Sequence, residues 1–148
     1  MHLIHGLNTK TALEHLVFLS NKNIVTVSKE LKITPQQFTD WIKHRRPIPA
    51  ERLVQLSRYF NIPTNIIVDS KRYAKRLSVL DSIELEILVL TNQTKGSTAD
   101  SKLEYSINEL KKERQNQIRI TRLSALLEKN DMRIMNKIDQ FLDKMEEE

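Results

Sequence analysis

An all-α protein is expected from three features of this 148-residue sequence. Glycine and proline are scarce, at two and four residues, too few for a sheet protein with many tight turns. Apolar residues recur every three or four positions through most of the chain, the repeat of one helix face. One short segment, Thr34 to Gln37, carries a complete helix-start signature: a threonine cap, a proline at the first position and a glutamine three residues after the cap. The expected organisation is a five-helix domain with a basic extension over residues 1–90, a polar linker over 91–100, and a helical segment over 101–148.

The elements follow in order. Segment 9–20 places Ala12, Leu13, Leu16, Val17 and Leu19 at helical spacing, and "NKN" (21–23) breaks it. A second short helix covers 24–31, with Val27 and Leu31 on one face. The third runs from Pro35 to about His44. Beyond it "RRPIP" cannot continue, because Pro47 and Pro49 remove donors and disfavour helix before them. A fourth helix spans 50–60 with Leu53, Leu56 and Phe60 inward, and a turn plus a short fifth helix fill 61–68. Lys71, Arg72, Lys75 and Arg76 lie at helical spacing, so 70–77 reads as a basic helix. Segment 81–93 is apolar and is expected to pack on the first domain or on a partner.

The third helix has two unlike faces. At about 100° per residue, Phe38, Trp41 and Ile42 form one apolar stripe, and Gln36, Thr39, Asp40 and Lys43 form the opposite one, with Gln37 on the flank. The outward groups are those that read base edges in a major groove. Gln bonds adenine at two atoms, Lys donates to guanine, Thr bonds either way, and Asp accepts from cytosine. Arg45 and Arg46 at the helix end would then lie beside phosphates.

The stretch 25–67, with "SKEL", "IT", "FTDWI", "RRPIPAERL" and "FNIPTNII", resembles the helix-turn-helix domain of the Cro/phage-repressor type. The resemblance covers about residues 9–68. It implies that the third helix enters the major groove, that the second crosses the backbone, and that two copies bind two half-sites. Carried onto this chain, base contacts fall to Gln36, Gln37, Thr39, Asp40 and Lys43. Phosphate contacts fall to Asn23, Lys29, Thr34, Arg45 and Arg46. Lys32 stands where the family usually has Gly, and a left-handed residue there costs roughly 1–2 kcal/mol. His44 stands at a second position where the family often has Gly.

Charge divides along the chain. Residues 1–80 hold thirteen Lys/Arg and five Asp/Glu, and 81–148 hold eleven and fourteen. A basic first half joined to a mildly acidic second half suits a polyanion-binding module with an assembly module attached. In the second half Ile120, Leu123, Leu127, Ile134, Ile138, Phe141 and Met145 recur at three or four, with a break at "EKND" where Asn130 or Asp131 caps a last helix. This segment reads as an element for homo-oligomerisation, dimer or higher, or for binding another protein.

Cysteine is absent, which excludes disulfides and thiolate metal sites. His2 and His5 lie three apart with no carboxylate nearby and read as a chance pair. No phosphate loop, nucleophile elbow or metal motif is present, so no enzyme, metal or cofactor is expected. No signal peptide or membrane-length apolar run is seen, so the expected location is the cytoplasm. The expected function is a sequence-specific, DNA-binding transcriptional regulator, a repressor of phage or mobile-element type acting on double-stranded DNA. The other reading is a protein-interaction module on the same scaffold, such as an antitoxin or an inhibitor of a host or phage protein.

Overall fold

The computed structural model describes residues 10–95 and 100–148. His2 and His5 lie outside the described residues. Among those described the fold is all-helical: α1 (Ala12–Leu19), α2 (Ile24–Glu30), α3 (Pro35–Ile42), α4 (Ala50–Phe60), α5 (Thr64–Ile67), α6 (Val79–Thr94), α7 (Ser101–Glu128) and α8 (Met132–Glu146).

Each start has a local cause. Thr11 caps α1 by accepting from the Glu14 amide, and Asn23 caps α2 by accepting from the Thr26 amide at 2.8 Å. Thr34 and Gln37 close the expected capping box on α3. Ser78 and Asp81 close another on α6. The break before α8 falls where the sequence placed it, with Asp131 as the cap.

The main core gathers Leu13, Leu16, Phe38, Ile42, Leu56 and Ile67, all at most 2% exposed. α1 touches α3, α5 and α6 around it. Thr11 ties two of these helices together, because its buried hydroxyl also donates to the Ile42 carbonyl at 2.7 Å. α6 serves two cores. Leu85 joins the main one, and Ile83 and Ile87 pack with Ile107 of α7 in a second. α6 runs on to Thr94, so the apolar segment packs on the first domain and on α7 at once.

Residues 70–77 are not the basic helix that their spacing suggests. They form an extended strap with antiparallel bridges Val68–Ala74 and Thr11–Arg76. Its turn is set by Asp69, whose Oδ1 accepts from the Lys71 and Tyr73 amides, and by Arg72 in the left-handed region at φ 65°. Tertiary bonds then hold the strap in place. The Ala12 amide donates to the Lys75 carbonyl, and the Ile48 amide donates to the Arg72 carbonyl at 2.8 Å. α3 also ends earlier than expected, at Ile42, because His44 turns left-handed at φ 62°.

Candidate nucleic-acid interface

α3 is seated by its back. Phe38 is 0%, Trp41 5% and Ile42 2% exposed, and the two rings meet edge to face at 6.3 Å. Loss of one such ring costs about 3–5 kcal/mol, so this helix has one stable rotation. α2 packs against it across a turn in which Lys32 is left-handed at φ 56°. The Ile33 amide closes that turn on the Ser28 carbonyl at 2.9 Å. Ser28 is wholly buried in α2, in keeping with close approach of the two helices.

The far end of α2 is braced from α4. Arg52 Nη1 donates to the Leu31 carbonyl at 3.4 Å. The Tyr59 hydroxyl donates to the Glu30 carboxylate, and the Lys22 ammonium lies 3.0 Å from both. The Tyr59 hydroxyl, then Lys22, holds the Glu30 carboxyl below its usual range.

With the back pinned, the outer face of α3 is defined. Gln36, Gln37 and Lys43 are exposed, and Thr39 and Asp40 are half-buried. The five residues expected at bases are not equally free. The Gln37 side chain accepts from the Thr34 amide at 3.4 Å to complete the capping box. Gln36 Nε2 donates to Asp40 Oδ1 at 3.2 Å. Asp40 also faces Arg45 Nη1 at 3.6 Å and Arg46 Nε at 3.7 Å. It therefore sits at the centre of a small polar cluster rather than standing open to a ligand.

That cluster was not foreseen from sequence. It forms because the chain doubles back after α3, and the Arg45 and Arg46 amides both donate to the Asp40 carbonyl. The ion pairs are long, and the side chains of Arg45 and Arg46 remain 59% and 76% exposed. Pairs of this kind contribute about 0–1 kcal/mol, so both guanidinium groups stay available to an anion.

The residues expected at phosphates are spread along the α2 and α3 ends. Lys29, Arg45 and Arg46 are exposed. Asn23 and Thr34 are exposed too, each with its oxygen engaged as a helix cap, leaving the Asn23 amide group and the Thr34 hydroxyl hydrogen to donate outward.

The strap adds cations that sequence reasoning had put on a helix. His44 Nδ1 donates to the Ala74 carbonyl at 2.8 Å, and its ring lies 4.9 Å from that of Tyr73. Together with the Ile48–Arg72 bond, this runs strap residues 72–74 beside residues 44–48. Exposed Lys71 and Arg72 thus approach the loop that carries Arg45 and Arg46.

Among the described residues no cluster of three or more His, Cys, Asp or Glu side chains is arranged to hold a metal, and no helix is long and apolar enough to cross a membrane. No protein-family model, curated protein or solved structure matches the chain.

Proposed function

We propose that the chain is a sequence-specific DNA-binding transcriptional regulator, a repressor of phage or mobile-element type, which lays α3 in the major groove. The observation that carries this reading is the division of α3. Phe38, Trp41 and Ile42 are locked into the core, and Gln36 and Lys43 point outward beside Arg45 and Arg46. A major groove is about 12 Å wide and admits one helix. Bidentate bonds to a base need donors held in fixed directions, which a rigidly seated helix supplies.

In this role Gln36 reads a base, and Asp40 fixes its amide. One Nε2 hydrogen goes to Asp40, so the other hydrogen and Oε1 can meet adenine N7 and N6. Lys43 reaches a guanine or a phosphate. Arg45, Arg46 and Lys29 neutralise phosphates, with Asn23 and Thr34 donating at the helix starts. Gln37 and Thr39 complete the face at its edges. By occupying a promoter the protein would block transcription without any further chemistry.

The test is a titration of the full chain against duplex from its own upstream region and against a scrambled duplex, at several salt concentrations. Affinity is expected to fall by roughly 0.9 log units per log unit of salt for each phosphate neutralised. Gln36→Ala is expected to cost about 1–3 kcal/mol on the preferred duplex and little on the scrambled one. Equal, weak binding to both duplexes would overturn the proposal. It would favour the second reading, a protein-interaction module such as an antitoxin or inhibitor, which draws on the carboxylate of Asp40 in the middle of the basic end.

A further inference from the structure

Residues beyond Lys111 carry apolar surface that the chain itself leaves uncovered. No residue of α8 is buried; Ile134 and Ile138 are half-covered, and Phe141 and Met145 are 60% and 42% exposed. In α7, Ile107 and Leu110 pack against α6, and half-buried Leu103 lies on the same side of the helix. At about 100° per residue, Ile120, Leu123 and Leu127 centre about 130° round the helix from that side. A helix that packs only on its own domain keeps one stripe. This one changes sides, so α6 cannot cover the second stripe.

α8 does not cover it either. α8 touches α7 only sparsely, and Leu123 and Leu127 remain 41% and 42% exposed. The connection is well defined: Asn130 is left-handed, and Asp131 caps α8 by accepting from the Arg133 amide at 2.9 Å.

The charges match this uncovered stretch of α7 to the chain's own α8. Lys112 and Arg119, seven residues apart, lie along the second face of α7. Asp139 and Glu146, also seven apart, border the apolar stripe of α8. Laid antiparallel, Arg119 meets Asp139 in the same register in which Lys112 meets Glu146. That register sets Ile120 against Ile138. In the single chain Lys112 rests on Glu109 and Arg119 on Asn116, both at the helix surface.

We infer that a second copy of this chain is the cover, with α8 of each copy lying antiparallel along residues 112–127 of the other copy's α7. The exchange is reciprocal, so a twofold pair contains every contact twice and closes on itself. The same register would serve a hairpin closed within one chain. Here that hairpin is open, and both halves are left for an identical chain. The inference stands apart from DNA binding, because it uses no residue of α3.

Light scattering on the full chain at micromolar concentration is expected to give twice the 17.4 kDa chain mass. Ile138→Asp with Phe141→Asp should yield a monomer with unchanged fluorescence from Trp41, the single tryptophan. Arg119→Glu should weaken the dimer by about tenfold, from loss of the ion pair plus like-charge repulsion at two symmetric sites, and Asp139→Arg in the same chain should restore it. The chain has no cysteine, so an Ile120→Cys, Ile138→Cys variant reports the topology directly. Oxidation should give a covalent dimer. A monomeric native chain, an internal disulfide in a monomer, or a dimer indifferent to both sets of substitutions would each overturn the inference.

Discussion

Asp40 lies one turn after Gln36 and accepts its side-chain amide at 3.2 Å while facing both Arg45 and Arg46. A carboxylate at the centre of a face proposed to meet phosphates looks costly by Coulomb's law. Its contacts give the reason for its presence: it holds one amide in a fixed direction and gathers two guanidinium groups at the helix end.

Two opposite effects of Asp40→Ala follow. Removing the negative charge should strengthen binding to any duplex, most at low salt. Releasing the Gln36 amide should erode discrimination at one base pair, from about 1–3 kcal/mol toward zero. Anisotropy titrations with the preferred duplex and its single-base variants separate the two. Unaltered discrimination would remove Asp40 from its orienting role.

The turn between α2 and α3 has a measurable strain. Lys32 is exposed and left-handed at φ 56°. Lys32→Gly should stabilise the fold by about 1 kcal/mol, read from urea unfolding followed by Trp41 fluorescence. His44 is also left-handed, at φ 62°, but its ring donates to the Ala74 carbonyl. His44→Gly gains the same backbone relief and loses that bond, so its net effect should be smaller or reversed. Equal gains at both positions would mean that the bond to the strap adds nothing.

These two residues show how far the sequence could be read. The stripes Phe38–Trp41–Ile42 and Leu53–Leu56 identified helices and their buried faces, because helical periodicity reports burial directly. Thr34 with Gln37, and Asp131, marked helix starts through local side-chain bonds. Both signals are local. The strap is not: Lys71, Arg72, Lys75 and Arg76 have helical spacing, yet Asp69 turns the chain, and bonds to Ala12 and Ile48 pull it straight. The Asp40 cluster was hidden for the same reason, since Arg45 and Arg46 reach it only after the chain reverses.

The α6–α7 contact contains a repulsion that pH can relieve. Partial burial, then the nearby Glu113, raises the Glu86 carboxyl above its ordinary value of 4.5. The folded state therefore takes up a proton more readily than the unfolded one. Stability contributed by this site should rise as pH falls through the raised value. Glu86→Gln should stabilise the fold at pH 7, and its advantage should vanish below about pH 4. Thermal melts of both proteins across that range check the sign. A variant less stable than the native chain at pH 7 would mean that Glu86 has a compensating cation.

His15 gives the opposite dependence. Its ring stacks on Phe18 at 6.1 Å, and both ring nitrogens are enclosed without a well-formed hydrogen bond, the Ser82 backbone being only a weak partner. Burial, then the positive charge of Lys10, lowers its pKa from 6.5; the Ser82 backbone and Glu14 oppose the shift and are smaller effects. The folded state thus favours neutral His15 more than the unfolded chain does, which takes up a proton near pH 6.5. The stability it contributes is complete above about pH 6.5 and is lost as pH falls toward the lowered value. His15→Leu removes the titration and the two enclosed nitrogens together. It should flatten the stability profile below pH 6.5, while leaving Glu86 to set the trend at lower pH. Urea midpoints for the native chain, His15→Leu and Glu86→Gln, taken from pH 7.5 to 4, distinguish the two sites. A native profile that does not decline between pH 6.5 and 5.5, or a decline that survives in His15→Leu, would show that the ring is charged without penalty in the folded state.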